Sequence, residues 1–226
     1  MLACVVAFVF EVTLPSGAQR SLFLEFGFVP ARWTALLDRE VDPRLFVTPL
    51  TSLFMHAGLL HIVGNMLFLR VFGDSAEGRL GHVRLFVLYV VSGLLATATQ
   101  WVADPASMQP VVGASGAIAG VMAASVVLAP RARVSIVVPL VIFFPVVELP
   151  AFVLVAFWFG LQFFSGVMTL GIGEHSGVAY WAHVGGFASG LLMTLLLQRA
   201  TRTPVPPRAR SVSPWLERTD DGRSRV

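Results

Sequence analysis

The sequence predicts an all-α, polytopic membrane protein with six transmembrane helices. Hydrophobic residues make up 56% of the 226-residue chain and charged residues only 13%, against about 25% charged residues in an average soluble domain. A spanning helix needs about 20 mostly apolar residues, so the chain has room for about five to seven spans. Charged, Gly-rich and Pro-rich segments divide its apolar residues into six runs.

These runs give the predicted spans, which are 1–10, 57–73, 85–103, 115–130, 149–167 and 179–198. The first run is too short for a whole span, so we expect the beginning of that helix to be missing from the sequence. Residues 74–84 are charged and are predicted to form a short loop. Residues 134–147 are apolar but carry two prolines, which favours a re-entrant or interfacial connection. Residues 171–177 are predicted to form a glycine-rich turn.

The spans make up one membrane domain, residues 1–198, with one long external loop. That loop, residues 16–50, mixes acidic and basic residues with aromatic ones, which predicts short helices at the membrane interface. Residues 199–226 are rich in Arg, Pro, Ser and Asp, which predicts a disordered cytoplasmic tail.

The arginines predict the orientation of the spans. Arg residues occur in the loops after spans two and four and at the start of the tail, and they are absent from the loops after spans three and five. Both termini are therefore predicted to be cytoplasmic. The net charge of +3 comes from arginines at span ends and in the tail, so we expect a lipid bilayer and no nucleic acid as a partner. The single Cys4 excludes an internal disulfide and a cysteine metal cluster.

A serine between small residues opens the fourth span, in the tetrapeptide Gly113-Ala114-Ser115-Gly116. Such a motif is typical of a packing site, because small residues let membrane helices approach closely. Taken alone the motif favours packing, and a nucleophile is the alternative, because the glycines leave the serine oxygen and its backbone N–H open to a ligand. Polar residues in other spans favour the second interpretation, since buried polar groups in a bilayer are costly and tend to mark function.

Ser115 and His183 are predicted to lie at the same depth. Each precedes an arginine at the cytoplasmic end of its span by 16 residues, which corresponds to about 24 Å along a helix. Small residues at 116, 120 and 124 in span four, and at 182, 186 and 190 in span six, would let these spans pack closely. Ser115 and His183 would then face each other.

Span two contributes His61 and Asn65, which lie on one helix face because they are four residues apart. His61 is 13 residues before Asp74, or about 20 Å above it. The Asn65 amide, the His61 ring and the backbone N–H of Ser115 are suitable donors to an oxyanion.

These residue types predict a Ser–His dyad. An imidazole near neutral pH can take the proton of a serine hydroxyl and make it a nucleophile. Spans two, four and six carry no acidic residue above their cytoplasmic ends, so no third member is predicted. The alternative is a metal site, but His56 and His61 are five residues apart, not four as in HExxH, and have no Glu or Cys neighbour. We therefore predict no metal and no cofactor.

Together these motifs resemble the rhomboid family of intramembrane serine proteases. The motifs are His56-xxxx-His61-xxx-Asn65, Gly113-Ala114-Ser115-Gly116 and Ala182-His183-Val184-Gly185-Gly186. Two weaker similarities are 74–81 and Trp158-xxx-Gln162, and the resemblance covers about residues 23–198. It implies Ser115 as the nucleophile and His183 as the general base. It also implies that His61, Asn65 and the Ser115 N–H form the oxyanion hole, and that His56, Gly113 and Gly116 shape the site.

The resemblance further implies a six-helix bundle with a water-filled cavity that opens to the outside. Substrates would be single-span membrane proteins cut near the outer surface, and the membrane would be a bacterial inner membrane. The chain departs from the family at Val47-Thr48, where Trp-Arg is common, and at Ala119, where many members have an aromatic residue. Two alternatives stay open: an inactive relative that escorts membrane proteins, and a six-span transporter. No oligomeric state is predicted.

Overall fold

The computed structural model describes residues 1–36, 42–137, 145–170 and 177–200. Within these ranges the chain is mainly helical, with short 3-10 turns at Pro43–Val47 and Ser52–Phe54. The α-helices are α1 (Leu2–Thr13), α2 (Ser16–Phe26), α3 (Pro30–Ala35), α4 (Thr48–Thr51), α5 (Leu59–Leu80), α6 (His82–Ala103), α7 (Ser115–Leu128), α8 (Ala151–Thr169) and α9 (Tyr180–Ala200). Strands β1 (Arg133–Val137) and β2 (Val146–Pro150) pair antiparallel.

Three helices are long and apolar enough to cross a membrane, namely α6, α8 and the Tyr180–Gln198 part of α9. The segment Pro43–Phe54 and α5 meet the same criteria as a pair, with a bend of 76° between them. Helices α1 and α7 are apolar but have only 12 and 14 residues. The predicted helical membrane fold is confirmed, while the count of six spans stays a prediction.

Helix α7 lies at the centre of the bundle, in contact with α5, α6, α8 and α9. All residues from Gly116 to Ser125 are buried. Most of them are Gly, Ala or Ser, and such small side chains let the neighbouring helices approach. Its 14 residues extend only about 21 Å, less than the roughly 30 Å of a bilayer core. Ser115, its first residue, is half-buried.

The predicted close contact between spans four and six is confirmed. A Cβ atom on Gly186 would overlap the carbonyl oxygen of Gly116, and one on Gly190 would overlap the backbone of Gly120. Helix α6 packs against the same part of α7, because a Cβ on Gly116 would lie 2.6 Å from the Ala96 Cβ. Helices α7 and α9 thus pack backbone to backbone, and small side chains of α6 pack against them.

The prediction of a charged loop at 74–84 was wrong. Helix α5 continues to Leu80, and α6 begins at His82. Only Gly81 separates them, with φ of 78°, a conformation that glycine adopts without steric cost. Within α5, Arg70 and Asp74 form a salt bridge of 3.0 Å one turn apart, so these charges are compatible with a helix that reaches the membrane surface.

The sequence did not predict the strand pair at the two ends of the apolar connection 134–147. Its register joins Arg133 with Pro150 and Val137 with Val146. Residues 138–144 lie outside the described residues, and the re-entrant or interfacial position of this connection stays a prediction. The 199–226 tail and the 171–177 turn lie almost entirely outside the described residues.

The predicted short helices of the first loop are confirmed as α2, α3 and α4. Trp33 in α3 ties this loop to the bundle. Its indole N–H donates to Thr48 Oγ1 at 3.1 Å, and its ring lies 5.9 Å from that of Trp101 in α6. Thr48, which stands where the family often has Arg, is therefore anchored through Trp33. The position of these helices at a membrane interface stays a prediction.

Candidate active site

The structure brings Ser115 and His183 together. Ser115 is the first residue of α7, and His183 lies in the first turn of α9. The His183 Nε2 atom is 2.7 Å from Ser115 Oγ, a normal distance for a hydrogen bond donated by a hydroxyl. The two helices can hold this distance because glycines at 116, 120, 186 and 190 remove the side chains that would otherwise separate them.

The other side of the His183 ring contacts two residues of α8. Its Nδ1 atom lies 2.6 Å from Gln162 Oε1, and its ring centroid is 5.5 Å from that of Trp158, tilted by 44°. The sequence predicted a dyad, with no role for Trp158 or Gln162. The available signal was a glutamine in a span without charges, one helical turn after a tryptophan.

Gly113 brings the segment before the serine against His61 and Asn65. Its φ of 125° lies in the region that favours glycine. A Cβ atom at this position would be 2.7 Å from His61 Nε2 and 3.7 Å from Asn65 Nδ2. The Gly113 N–H donates to the Ser52 carbonyl at 2.8 Å. A glycine is required here because the backbone conformation and the lack of space both exclude a side chain.

The Asn65 amide is an available donor beside this segment. Asn65 is only 7% exposed, and its Nδ2 is buried without a hydrogen-bond partner among the described residues. A buried donor without a partner is unfavourable, so such an atom in a site is suited to a ligand oxygen.

His56 lies next to His61. It is fully buried, and its ring centroid is 5.2 Å from that of His61 in an edge-to-face arrangement. Its backbone N–H donates to the carboxylate of Glu11 in α1 at 3.1 Å. No role was predicted for Glu11. The signal that could have shown one is that Glu11 is the single acidic residue of the apolar helix α1.

Comparison with known proteins identifies the family. The family model described as "Rhomboid domain" matches residues 44–200. The chain belongs to the rhomboid family. This result confirms the resemblance drawn from the motifs, and the matched residues include all of the candidate site described above except Glu11.

Several rhomboid relatives match parts of the chain. RHOMBOID-like protein 4 of Arabidopsis thaliana is 29% identical over 64% of this chain and 32% of its own length. Inactive rhomboid protein 1 of Drosophila melanogaster is 37% identical over 35% of the chain and 5% of its own length. Presenilin-associated rhomboid-like protein A of Danio rerio, a mitochondrial protein, is 36% identical over 41% and 25%. The matched stretches cover a third or less of these relatives, and one relative is named inactive.

The rhomboid site opens into a cavity of about 590 Å³, within the usual size range of ligand pockets. Ser115, Gly113 and His61 line it together with residues of α6, α9 and the 104–113 segment. Gln100 of α6 is part of this wall, and its side-chain oxygen accepts the Ala182 N–H at 3.2 Å. A ligand in the cavity would therefore contact Ser115 directly.

The described part of the chain contains no group of three His, Cys, Asp or Glu side chains that could hold a metal ion. Among the described residues, His56 and His61 have no third His, Cys, Asp or Glu beside them with which they could hold a metal ion. The polar groups that the structure brings together at the rhomboid site are a hydroxyl, imidazoles and amides.

Proposed function

We propose that this rhomboid is an active intramembrane serine endopeptidase that cleaves single-span membrane proteins. The observation that carries the proposal is the 2.7 Å distance between His183 Nε2 and Ser115 Oγ. A serine hydroxyl in hydrogen-bond contact with an imidazole is the arrangement of an activated nucleophile. The buried and unpartnered Asn65 amide nearby adds a donor for the charge that develops.

In the proposed reaction, His183 takes the Ser115 proton as Oγ attacks the substrate carbonyl carbon. The resulting oxyanion accepts hydrogen bonds from Asn65 Nδ2, His61 and the Ser115 backbone N–H. Unpaired N–H groups and the dipole at the start of α7 favour the same negative charge. His183 then protonates the leaving amine, which breaks the C–N bond and leaves an acyl ester on Ser115. Water, deprotonated by His183, hydrolyses this ester and restores the hydroxyl.

The proposed substrates are membrane-spanning segments that can unwind locally. In a regular helix the carbonyl is hydrogen-bonded along the chain and covered by side chains, so Oγ cannot reach it. The cavity next to Ser115 has room for an extended segment of a few residues. Cleavage near the outer surface, with both termini in the cytoplasm, follows from the arginine pattern. The relatives are plant and animal proteins, so they lend no support to the expected bacterial inner membrane.

One alternative has an observation in its favour. A relative of this chain is named an inactive rhomboid protein, so an escort function without cleavage is the second candidate. The pairing of Ser115 with His183 argues against it, because escort needs neither group. A transporter is less well supported, because the only hydroxyl among the buried residues of α7 after Ser115 belongs to Ser125, which donates to the Met122 carbonyl within its own helix at 2.8 Å.

The test uses the purified protein in detergent with a model single-span substrate and a serine-directed fluorophosphonate probe. We expect cleavage and labelling by the wild type, and loss of both in Ser115→Ala and His183→Ala with unchanged thermal unfolding. Ser125→Ala, a matched change on the same helix, should keep both activities. Cleavage by Ser115→Ala at the wild-type rate, or neither cleavage nor labelling by the folded wild type, would contradict the proposal. Loss of cleavage in EDTA that zinc restores would favour a metal mechanism.

A further inference from the structure

His183 is held from both sides, and only one of the two contacts belongs to the dyad. Its Nε2 faces Ser115 Oγ, and its Nδ1 faces Gln162 Oε1 at 2.6 Å. We propose that Gln162 and Trp158 are positioning residues for His183, with Gln162 as the neutral third member of a Ser–His–Gln arrangement. This inference rests on the proposed protease function.

Gln162 selects the tautomer of His183. A neutral imidazole has one N–H and one lone pair, and an amide oxygen can only accept a hydrogen bond. With Gln162 Oε1 at Nδ1, the ring proton lies on Nδ1 and the lone pair on Nε2. This is the tautomer that can take the Ser115 proton. In serine proteases with an aspartate in this place, loss of the correct tautomer lowers kcat about 10⁴-fold.

Trp158 limits the rotation of the same ring. It lies four residues before Gln162, so both side chains project from one face of α8. Residues on other faces of this helix are exposed, for example Phe157 at 67% and Leu161 at 50%. The aromatic contact of His183 comes from α8, and Ala119, one turn after Ser115 in α7, has only a methyl group.

Trp158 also compensates for the missing carboxylate. Gln162 is uncharged and cannot balance the imidazolium that forms when His183 takes a proton. The centroid distance of 5.5 Å between the Trp158 and His183 rings is within the range of about 6 Å in which an aromatic ring attracts a cation. The Gln162 amide thus orients the His183 ring, and the Trp158 indole stabilises its positive charge.

The test compares Gln162→Met, which removes the acceptor at similar size, with Gln162→Glu, which keeps an oxygen acceptor. We expect kcat to fall at least about 10-fold in Gln162→Met, but less than the ~10⁴-fold of a triad whose aspartate is neutralised. KM should change little, because Gln162 is not among the described residues that line the cavity. Gln162→Glu should recover much of the lost kcat. Trp158→Phe should be milder than Trp158→Leu, and Leu161→Met on the exposed face is the matched control.

A second measurement does not depend on cleavage. Nitrogen-15 NMR of labelled histidine, with the His183 signals assigned by their loss in His183→Ala, reports the tautomer directly. We expect the proton on Nδ1 in the wild type and a mixture of tautomers in Gln162→Met, or in Gln162→Asn if the Met variant does not fold. A wild-type proton on Nε2, or wild-type kcat in folded Gln162→Met, would overturn the inference. If the tautomer is as expected but the wild type neither cleaves nor labels, the proposed function fails and not the positioning of His183.

Discussion

Gly186 in α9 lies directly against the carbonyl group of Gly116 in α7, with no room for a side chain between them. Gly116 follows the candidate nucleophile, and Gly186 lies three residues after the candidate base. The contact therefore lies next to both residues of the pair in which Ser115 Oγ and His183 Nε2 are 2.7 Å apart. The proposed Ser–His dyad would therefore depend on two residues that have no functional groups.

Gly186→Val should separate these helices and lower activity. A shift of about an ångström in the reacting groups can cost about 10²-fold in rate even when every catalytic residue is present. Thermal stability should fall as well, because van der Waals packing is the main attraction between helices in lipid. The measurement is substrate cleavage, probe labelling and the unfolding temperature in detergent. Gly160→Val is the matched control, since a Cβ at Gly160 meets no atom within 4 Å. Wild-type activity in Gly186→Val would show that the dyad does not depend on this contact.

Asn65→Ala should lower kcat by about 10²–10³, the usual loss when one oxyanion donor is removed. KM should change much less, because the donor serves the transition state more than the ground state. Steady-state cleavage of the single-span substrate measures both constants. Val63→Ala, at a residue that is 52% exposed on the same helix, should leave both unchanged. A rise in KM alone would show that Asn65 binds substrate instead of the oxyanion.

Gly113→Ala should impair catalysis more than stability. The added Cβ would be 2.7 Å from His61 Nε2, so the ring or the serine segment has to move. Gly81→Ala provides the comparison, because Gly81 also has a positive φ but open space around its Cα. Both variants should lose thermal stability through backbone strain, and only Gly113→Ala should also lose kcat. Equal kcat in the two variants would mean that the contact between Gly113 and His61 is not needed.

Glu11→Leu should weaken the segment that carries His56 and His61. The Glu11 carboxylate, 1% exposed, accepts the His56 N–H, and leaving a buried donor without a partner costs about 1–3 kcal/mol. We expect a lower unfolding temperature and a lower kcat. Glu11→Gln keeps an acceptor and should be milder, and Glu25→Leu at an exposed acidic residue is the control. An unfolding temperature and kcat equal to those of the wild type would show that α1 does not support the site.

The sequence was informative where the signal is local. The apolar runs predicted the main helices, and equal spacing to the arginines predicted that Ser115 and His183 lie at one depth. The small residues of spans four and six predicted their contact. Each of these features can be recognised within one helix at a time, from its hydropathy or its helical spacing.

The contacts that the sequence missed join distant segments. Gln162 reaches His183, and Glu11 reaches His56, over separations of 21 and 45 residues. Nothing in the local pattern of α1 or α8 specifies which helix each will face. Charge was misleading at 74–84, because a helix that leaves the bilayer can carry charged residues, as the Arg70–Asp74 pair shows.

The β-bridge between Phe28 and Val111 limits how far the chain of this rhomboid can be shortened. Phe28 and Val111 exchange two backbone hydrogen bonds of 2.7 and 3.1 Å, and the Ala31 N–H donates to the Ser107 carbonyl at 2.9 Å. Both partners on the N-terminal side precede residue 44, where the match to the family begins. The residues that the family model matches are thus fewer than the residues whose backbone contacts hold the 107–111 segment. A protein trimmed to residues 44–200 would carry its serine on a segment that has lost the backbone partners holding it in place.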